Sequence, residues 1–110
     1  MEKLSVIVPC FNEQETLQDY YDAISKVRET LLGKECELQV ILVDDGSKDK
    51  TLAKMKELSG QCSWIRYISF TRNFGKEAAI YAGLTHAEGE YVSLMDVDLQ
   101  DPPELIPEML

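Results

Sequence analysis

Four short apolar runs recur along the chain, at residues 4–9 (LSVIVP), 38–43 (LQVILV), 64–70 (WIRYISF) and 91–95 (YVSLM). The first two are almost unbroken, as in strands covered on both faces, and the third alternates with a period of two. Between the first pair, Leu17, Tyr20, Tyr21, Ile24, Val27 and Leu31 recur at helical spacing and predict a helix running to about Gly33, a natural C′ residue. Asn12 with Glu15 three residues on fits a capping-box start for that helix. A second helix carries Leu52, Met55 and Leu58 and takes Ser47 or Asp49 as its cap. A third, over residues 77–87, is rich in small side chains (Ala78, Ala79, Ala82, Gly83) and suits close approach to a sheet, with Gly89 ending it. Strands alternating with helices imply right-handed crossovers, hence an α/β fold with a doubly wound, mostly parallel sheet and helices on both faces.

All strand ends then share one edge, where open α/β sheets bind ligands. The first carries Asn12 and Glu13, the second Asp44 and Asp45, the third Arg72 and Lys76, and the fourth Asp96, Asp98, Gln100 and Asp101. Each cluster alone has a plain alternative: capping for Asn12 and Glu13, a well-capped turn with a solvated charge pair for Asp44 and Asp45, a solvated basic turn for Arg72 and Lys76. The functional readings are a carboxylate accepting from a ribose hydroxyl or a base N–H, and a cationic loop before a helix N-terminus facing a diphosphate. Asp96 and Asp98 project to the same side of an extended chain. Their mutual repulsion is relieved by protonation or a cation, and Mg²⁺ or Mn²⁺ suits such oxygen ligands. Pro102 and Pro103 end that strand, and the plain alternative there is capping of a following helix. Four polar clusters at four strand ends point together to a nucleotide site with a metal.

The 110 residues make one domain at most. A net charge of −9 argues against a nucleic-acid backbone as partner, so phosphate has to be met locally by metal, backbone amides and a few cations. Cys10, Cys36 and Cys62 are odd in number and far apart, which fits free thiols packed in a core and a cytoplasmic setting. His86, the single histidine, falls at a helix end, where it favours the dipole rather than serving as a base. No apolar run has the length of a transmembrane helix or of a signal-peptide core. The chain stops inside what reads as a starting helix, as the N-terminal part of a longer protein would.

The stretches SVIVPCFNEQETL, VILVDDGSKDKT, TRNFGKEAAIYAGL and GEYVSLMDVDLQDPPE together resemble the N-terminal half of a family 2 glycosyltransferase of the GT-A fold. The resemblance is strongest to the subgroup acting on polyprenyl phosphates such as dolichol and undecaprenyl phosphate, and it covers nearly the whole chain in the family's order. It implies that residues 1–110 are the nucleotide-sugar-binding part of a catalytic domain whose acceptor half is absent. Pro9, Asn12 and Glu13 would line the nucleotide pocket, Asp44 would address the base and Asp45 the nucleotide-sugar. Arg72 or Lys76 would lie near the phosphates, and Asp96, Asp98 and Gln100 would hold Mg²⁺ or Mn²⁺, with Asp96 and Asp98 as the catalytic carboxylates. The implied reaction is inverting transfer of a sugar from a UDP- or GDP-sugar to a polyprenyl phosphate, with the parent protein at the cytoplasmic face of a membrane.

Three other readings compete, one of them a non-catalytic nucleotide or metal sensor. Another family 2 transferase could extend a polysaccharide or modify a different acceptor. A phosphoaccepting receiver domain shares the architecture, but its acidic pair follows the first strand, whereas Asp44 and Asp45 follow the second. An unpaired sheet edge would also leave room for a homo-oligomer.

Overall fold

The computed structural model describes residues 2–95. Asp96, Asp98 and Gln100 therefore lie outside the described residues. The elements run β1 (Glu2–Cys10), α1 (Leu17–Gly33), β2 (Cys36–Asp44), α2 (Thr51–Gln61), β3 (Ile65–Ser69), α3 (Lys76–His86) and β4 (Tyr91–Leu94). All pairings are parallel and the strand order is β3-β2-β1-β4.

This order follows from chirality. The chain moves in one direction from β1 to β3, so right-handed crossovers put α1 and α2 on the same face. It then returns past β1 to β4, which sends α3 to the other face. The two cores confirm the layering. Leu4, Val6, Val8 and Cys10 of β1 and Leu38, Val40 and Leu42 of β2 pack with Leu17, Tyr20, Ile24, Val27 and Leu31 of α1 and Met55 and Leu58 of α2. The intervening residues Ile7, Ile41 and Val43 pack with Ala79 of α3 on the opposite face. A receiver would place its first strand between its second and third. Here β2 and β3 are direct neighbours and β1 lies between β2 and β4, which excludes the receiver topology.

The helix starts differ from the capping patterns in the sequence. Asn12 does not cap α1: the helix begins at Leu17 behind Thr16, without a side-chain cap bond. A lost cap costs about 1 kcal/mol, and full burial of each large apolar side chain returns roughly 1.5–3 kcal/mol. The five buried residues of α1 therefore hold it in place. Gly33 is the last helical residue, not C′, and Glu35 takes the left-handed conformation at φ 60°. The N-cap of α2 is Lys50, without a side-chain cap bond, and Asp49, one position before it, instead accepts the N–H and hydroxyl protons of Thr51. Ser47 is used elsewhere.

The small residues of α3 bring it down onto the sheet. Ala79 and Gly83 are its buried positions. Cys10 and Cys36 are buried free thiols and Cys62 is half-buried, each against the larger core. His86 Nδ1 donates to the Ala82 carbonyl at 2.9 Å, which makes the ring part of the helix end. Among the described residues, no helix is long and apolar enough to cross a membrane.

Candidate functional site

The carboxyl edge of the sheet is built in register. Cys10, Asp44 and Ser69 are successive Cα partners across β1, β2 and β3. The ladder continues beyond them, with Asp45 N–H donating to the Cys10 carbonyl and Phe70 N–H to the Asp44 carbonyl, both at 2.9 Å. Pairing of β1 with β4 ends earlier, at Ile7 and Leu94, after which Met95 N–H donates to the Ile7 carbonyl at 3.0 Å. Pro9 lies two residues beyond Ile7, on the β4 side of β1, and has no N–H with which to extend that ladder. The strand order reverses at this junction, the place where open α/β sheets leave a crevice for ligand.

Two loops at this edge are laced together. Asn12 N–H donates to Ser47 Oγ at 2.9 Å, and Asn12 Oδ1 accepts from Lys48 N–H at 2.9 Å. Glu13 N–H donates to Thr51 Oγ1 at 2.8 Å. Gln14 N–H donates to Asp49 Oδ2 and Gln14 Oε1 accepts from Lys50 N–H, at 3.4 and 2.8 Å. Asn12 makes this exchange from the left-handed region at φ 53°, which asparagine tolerates better than most residues. The Glu13 carboxylate folds back to accept from Thr16 Oγ1 at 2.7 Å. A cavity of about 300 Å³ flanks the lacing, lined by residues 12–16 and Asp49.

Asp44 and Asp45 point to opposite faces, as adjacent strand residues must. They are not a solvated pair: they are 1% and 5% exposed. Asp44 Oδ1 accepts from Ser47 N–H at 3.0 Å and so closes its own turn. Asp45 reaches the third loop. Its Oδ1 accepts from Phe74 N–H at 2.8 Å, and Gly75 N–H lies 3.3 and 3.2 Å from its two oxygens. Gly46, at φ 76°, lets that loop approach: a Cβ there would collide with the Arg72 carbonyl carbon and the Asn73 nitrogen.

The third loop presents the cations. The Arg72 guanidinium lies 4.6 Å from the centroid of the Phe74 ring, which meets Phe70 edge-on at 5.5 Å. Lys76 is the first residue of α3, immediately after Gly75. Pro9, Asn12, Glu13, Asp44, Asp45, Arg72 and Lys76 are thus brought to one edge. Phe74, Gln14 and Thr51 organise that edge without having been singled out in the sequence. A loop phenylalanine or threonine has no periodic signature, and only the approach of distant loops gives it a role.

Burial, and then the charges of Glu13 and Asp44, push the Cys10 thiol far above its usual value, so it stays protonated and is no nucleophile. A second cavity, of about 410 Å³, lies at the other end of the sheet and is lined by Lys3, Arg28, Gln39, Trp64, Arg66 and Glu88 among others. It is remote from the strand ends that carry the polar clusters. Among the described residues no group of three or more His, Cys, Asp or Glu is arranged to hold a metal ion.

The model of the family described as glycosyl transferase family 2 matches residues 5–110. The chain is 43% identical over 108 residues to the bactoprenol glucosyl transferase of Shigella phage SfV, covering 98% of this chain and 34% of that protein. It is 42% identical to a prophage bactoprenol glucosyl transferase homolog of Escherichia coli K12, with the same coverage. The chain thus spans about a third of the length of these relatives. Among solved structures, the mannosyltransferase PcManGT from Pyrobaculum calidifontis, in complex with GDP-Man and Mn²⁺, superposes with a TM-score of 0.74 at 27% identity. That match covers 88% of this chain and 28% of the other. S. aureus TarS in complex with UDP gives a TM-score of 0.71 at 25% identity, covering 87% of this chain and 27% of its own.

Proposed function

This chain belongs to glycosyl transferase family 2, and from that premise we propose that residues 1–110 form the donor-binding, N-terminal part of a transferase that moves a sugar from a nucleoside-diphosphate sugar to a polyprenyl phosphate. The observation that carries this reading is the meeting of three loops, bearing Asn12 and Glu13, Asp44 and Asp45, and Arg72 and Lys76, at one sheet edge beside the β1–β4 junction. Support for the acceptor comes from the relatives named as bactoprenol glucosyl transferases, and for the donor from neighbours solved with GDP-Man and with UDP.

In this reading Pro9, Asn12, Glu13 and Asp44 form the wall of the nucleotide pocket, with Asp44 nearest the base. Arg72 and Lys76 meet the diphosphate at the start of α3, where the helix dipole also favours anions. Asp96, Asp98 and Gln100 would hold Mg²⁺ or Mn²⁺, since two carboxylates and an amide oxygen are the hard ligands such ions take. The bound ion supplies positive charge that stabilises the leaving diphosphate. The acceptor phosphate is already anionic at neutral pH, so inverting attack on an oxocarbenium-like centre needs no strong general base. The parent protein would work at the cytoplasmic face of a membrane, where a polyprenyl phosphate resides.

Calorimetric titration with UDP and GDP, each with and without Mn²⁺, beside an Asp98→Ala variant, tests the donor site. Metal-dependent binding of one nucleotide, lost in the variant, is the expected result. Metal-independent binding, or binding unchanged in the variant, would overturn the assignment of Asp98.

A further inference from the structure

We infer that Asp45 is a positioning residue: its buried carboxylate clamps the loop after β3 and sets where Arg72 and Lys76 stand. The resemblance to family 2 enzymes would have this side chain address the nucleotide-sugar. The geometry points to a different use. Asp45 extends from the α3 side of β2, is 5% exposed, and directs its oxygens at two consecutive backbone amides, those of Phe74 and Gly75. With its oxygens turned to two backbone amides and only 5% of the residue exposed, Asp45 offers little surface to a ligand hydroxyl.

The clamp transmits in two directions. Through Phe74 it fixes the ring over which the Arg72 guanidinium stands, and Phe70 braces that ring from the side. Through Gly75, held at φ 101° and preceding the first turn of α3, it sets the direction in which the helix starts and hence the place of Lys76. The close approach of Gly46 to Arg72 and Asn73 adds a second contact between the same two loops. Asp45 thereby ties the acidic strand end of β2 to the cationic loop of β3. The clamp is a feature of the fold, whereas its consequence for a diphosphate rests on the donor-site reading above.

The test has two independent arms. Native-state amide exchange, read by NMR without ligand on the wild-type chain and on Asp45→Ala, reports the clamp. Titration with UDP, GDP, UMP and GMP in Mn²⁺ reports its consequence. In Asp45→Ala, exchange at Phe74 and Gly75 is expected to accelerate while the amides of β1 and β2 keep their protection. Affinity for the diphosphate is expected to fall by about tenfold or more, the scale of loss when the supporting partner of a binding group is removed, while the monophosphate is unaffected. Asp45→Ala combined with Arg72→Ala should lose less than the sum of the two single losses, because part of the Asp45 effect acts through Arg72.

Unchanged exchange at Phe74 and Gly75 would overturn the clamp. Equal losses for mono- and diphosphate, with additive losses in the double variant, would make Asp45 a direct ligand instead. If Asp45→Ala loses core protection, Asp45→Asn, which keeps one acceptor oxygen, decides by the same readouts. A wild-type chain that binds none of the four nucleotides would overturn the donor-site reading and the positioning role built on it, while exchange would still decide whether the clamp exists.

Discussion

Gly83 in α3 lies flush against Ile7 in β1: a Cβ placed on Gly83 would collide with Ile7 Cγ2 and come within 3.0 Å of Ile7 Cγ1. Ile7 is fully buried at the centre of the sheet and cannot step aside. Gly83→Ala gains about 1 kcal/mol of helix propensity, against a cost of about 1–3 kcal/mol for overpacking. With β1 paired on both sides, the clash wins. A lower urea midpoint for Gly83→Ala, and a lower one still for Gly83→Val, is expected. A raised midpoint for alanine would mean that α3 can lift off the sheet without cost.

Asn12 holds two loops together from a left-handed backbone, so its replacement separates two contributions. Asn12→Ala loses the acceptor for Lys48 N–H and also strains the backbone, a combined cost of about 1–3 kcal/mol. Asn12→Gly loses the acceptor but tolerates φ 53°. The expected order of stability is wild type, then Asn12→Gly, then Asn12→Ala. Faster amide exchange at Lys48 in both variants is the accompanying signature.

Acid should loosen the lacing. Burial alone would raise the Asp49 carboxyl, but hydrogen bonds from the Thr51 hydroxyl and from the backbone N–H groups of Thr51 and Gln14 outweigh it and hold the group below its ordinary value of 3.8. The folded chain therefore binds this proton more weakly than the unfolded chain. The resulting stabilisation is present above the ordinary value and is lost as pH falls through the lowered one. Stability should be level with respect to this group above about pH 5 and fall below about pH 4. Asp49→Asn should flatten part of that fall in a series of urea titrations. Glu88 is lowered in the same direction by its hydrogen bond with Lys3, then by the charges of Lys3 and Arg66, but it is exposed and adds little.

Thiol chemistry should follow burial. Cys10 is pushed up by burial and then by Glu13 and Asp44, and Cys36 by burial and then by Glu2. Cys62 is half-buried, with its sulfur 3.4 Å from the Tyr21 hydroxyl. Alkylation of the native chain should modify Cys62 first, with Cys10 and Cys36 reacting only after denaturation, as mass spectrometry would show. Early modification of Cys10 would reveal opening at the end of β1.

Much of the fold was legible because its signals are periodic. The unbroken apolar runs at residues 4–9 and 38–43 became the two strands covered on both faces, and the spacing of Leu17, Tyr20, Ile24, Val27 and Leu31 became the buried stripe of α1. Among the described residues β4 is an edge strand, and it is more exposed than its composition suggests, with Tyr91, Val92 and Leu94 each more than 40% exposed. The capping signals were less reliable. Asn12 followed by Glu15 matches a capping box, yet the asparagine serves a neighbouring loop, because a tertiary partner competes for the same side-chain oxygen.

The sequence by itself determined the order of elements, the parallel sheet and the gathering of polar residues at one edge, since periodicity and right-handed crossovers leave few alternatives. Only the tertiary structure decided what those polar residues hold. Asp44 and Asp45 are neighbours in sequence, but the strand turns them to opposite faces, one closing its own turn and the other gripping a loop that begins more than 20 residues later. A hydrogen bond depends on distance and direction in space. Sequence separation specifies neither until the sheet has brought the loops together.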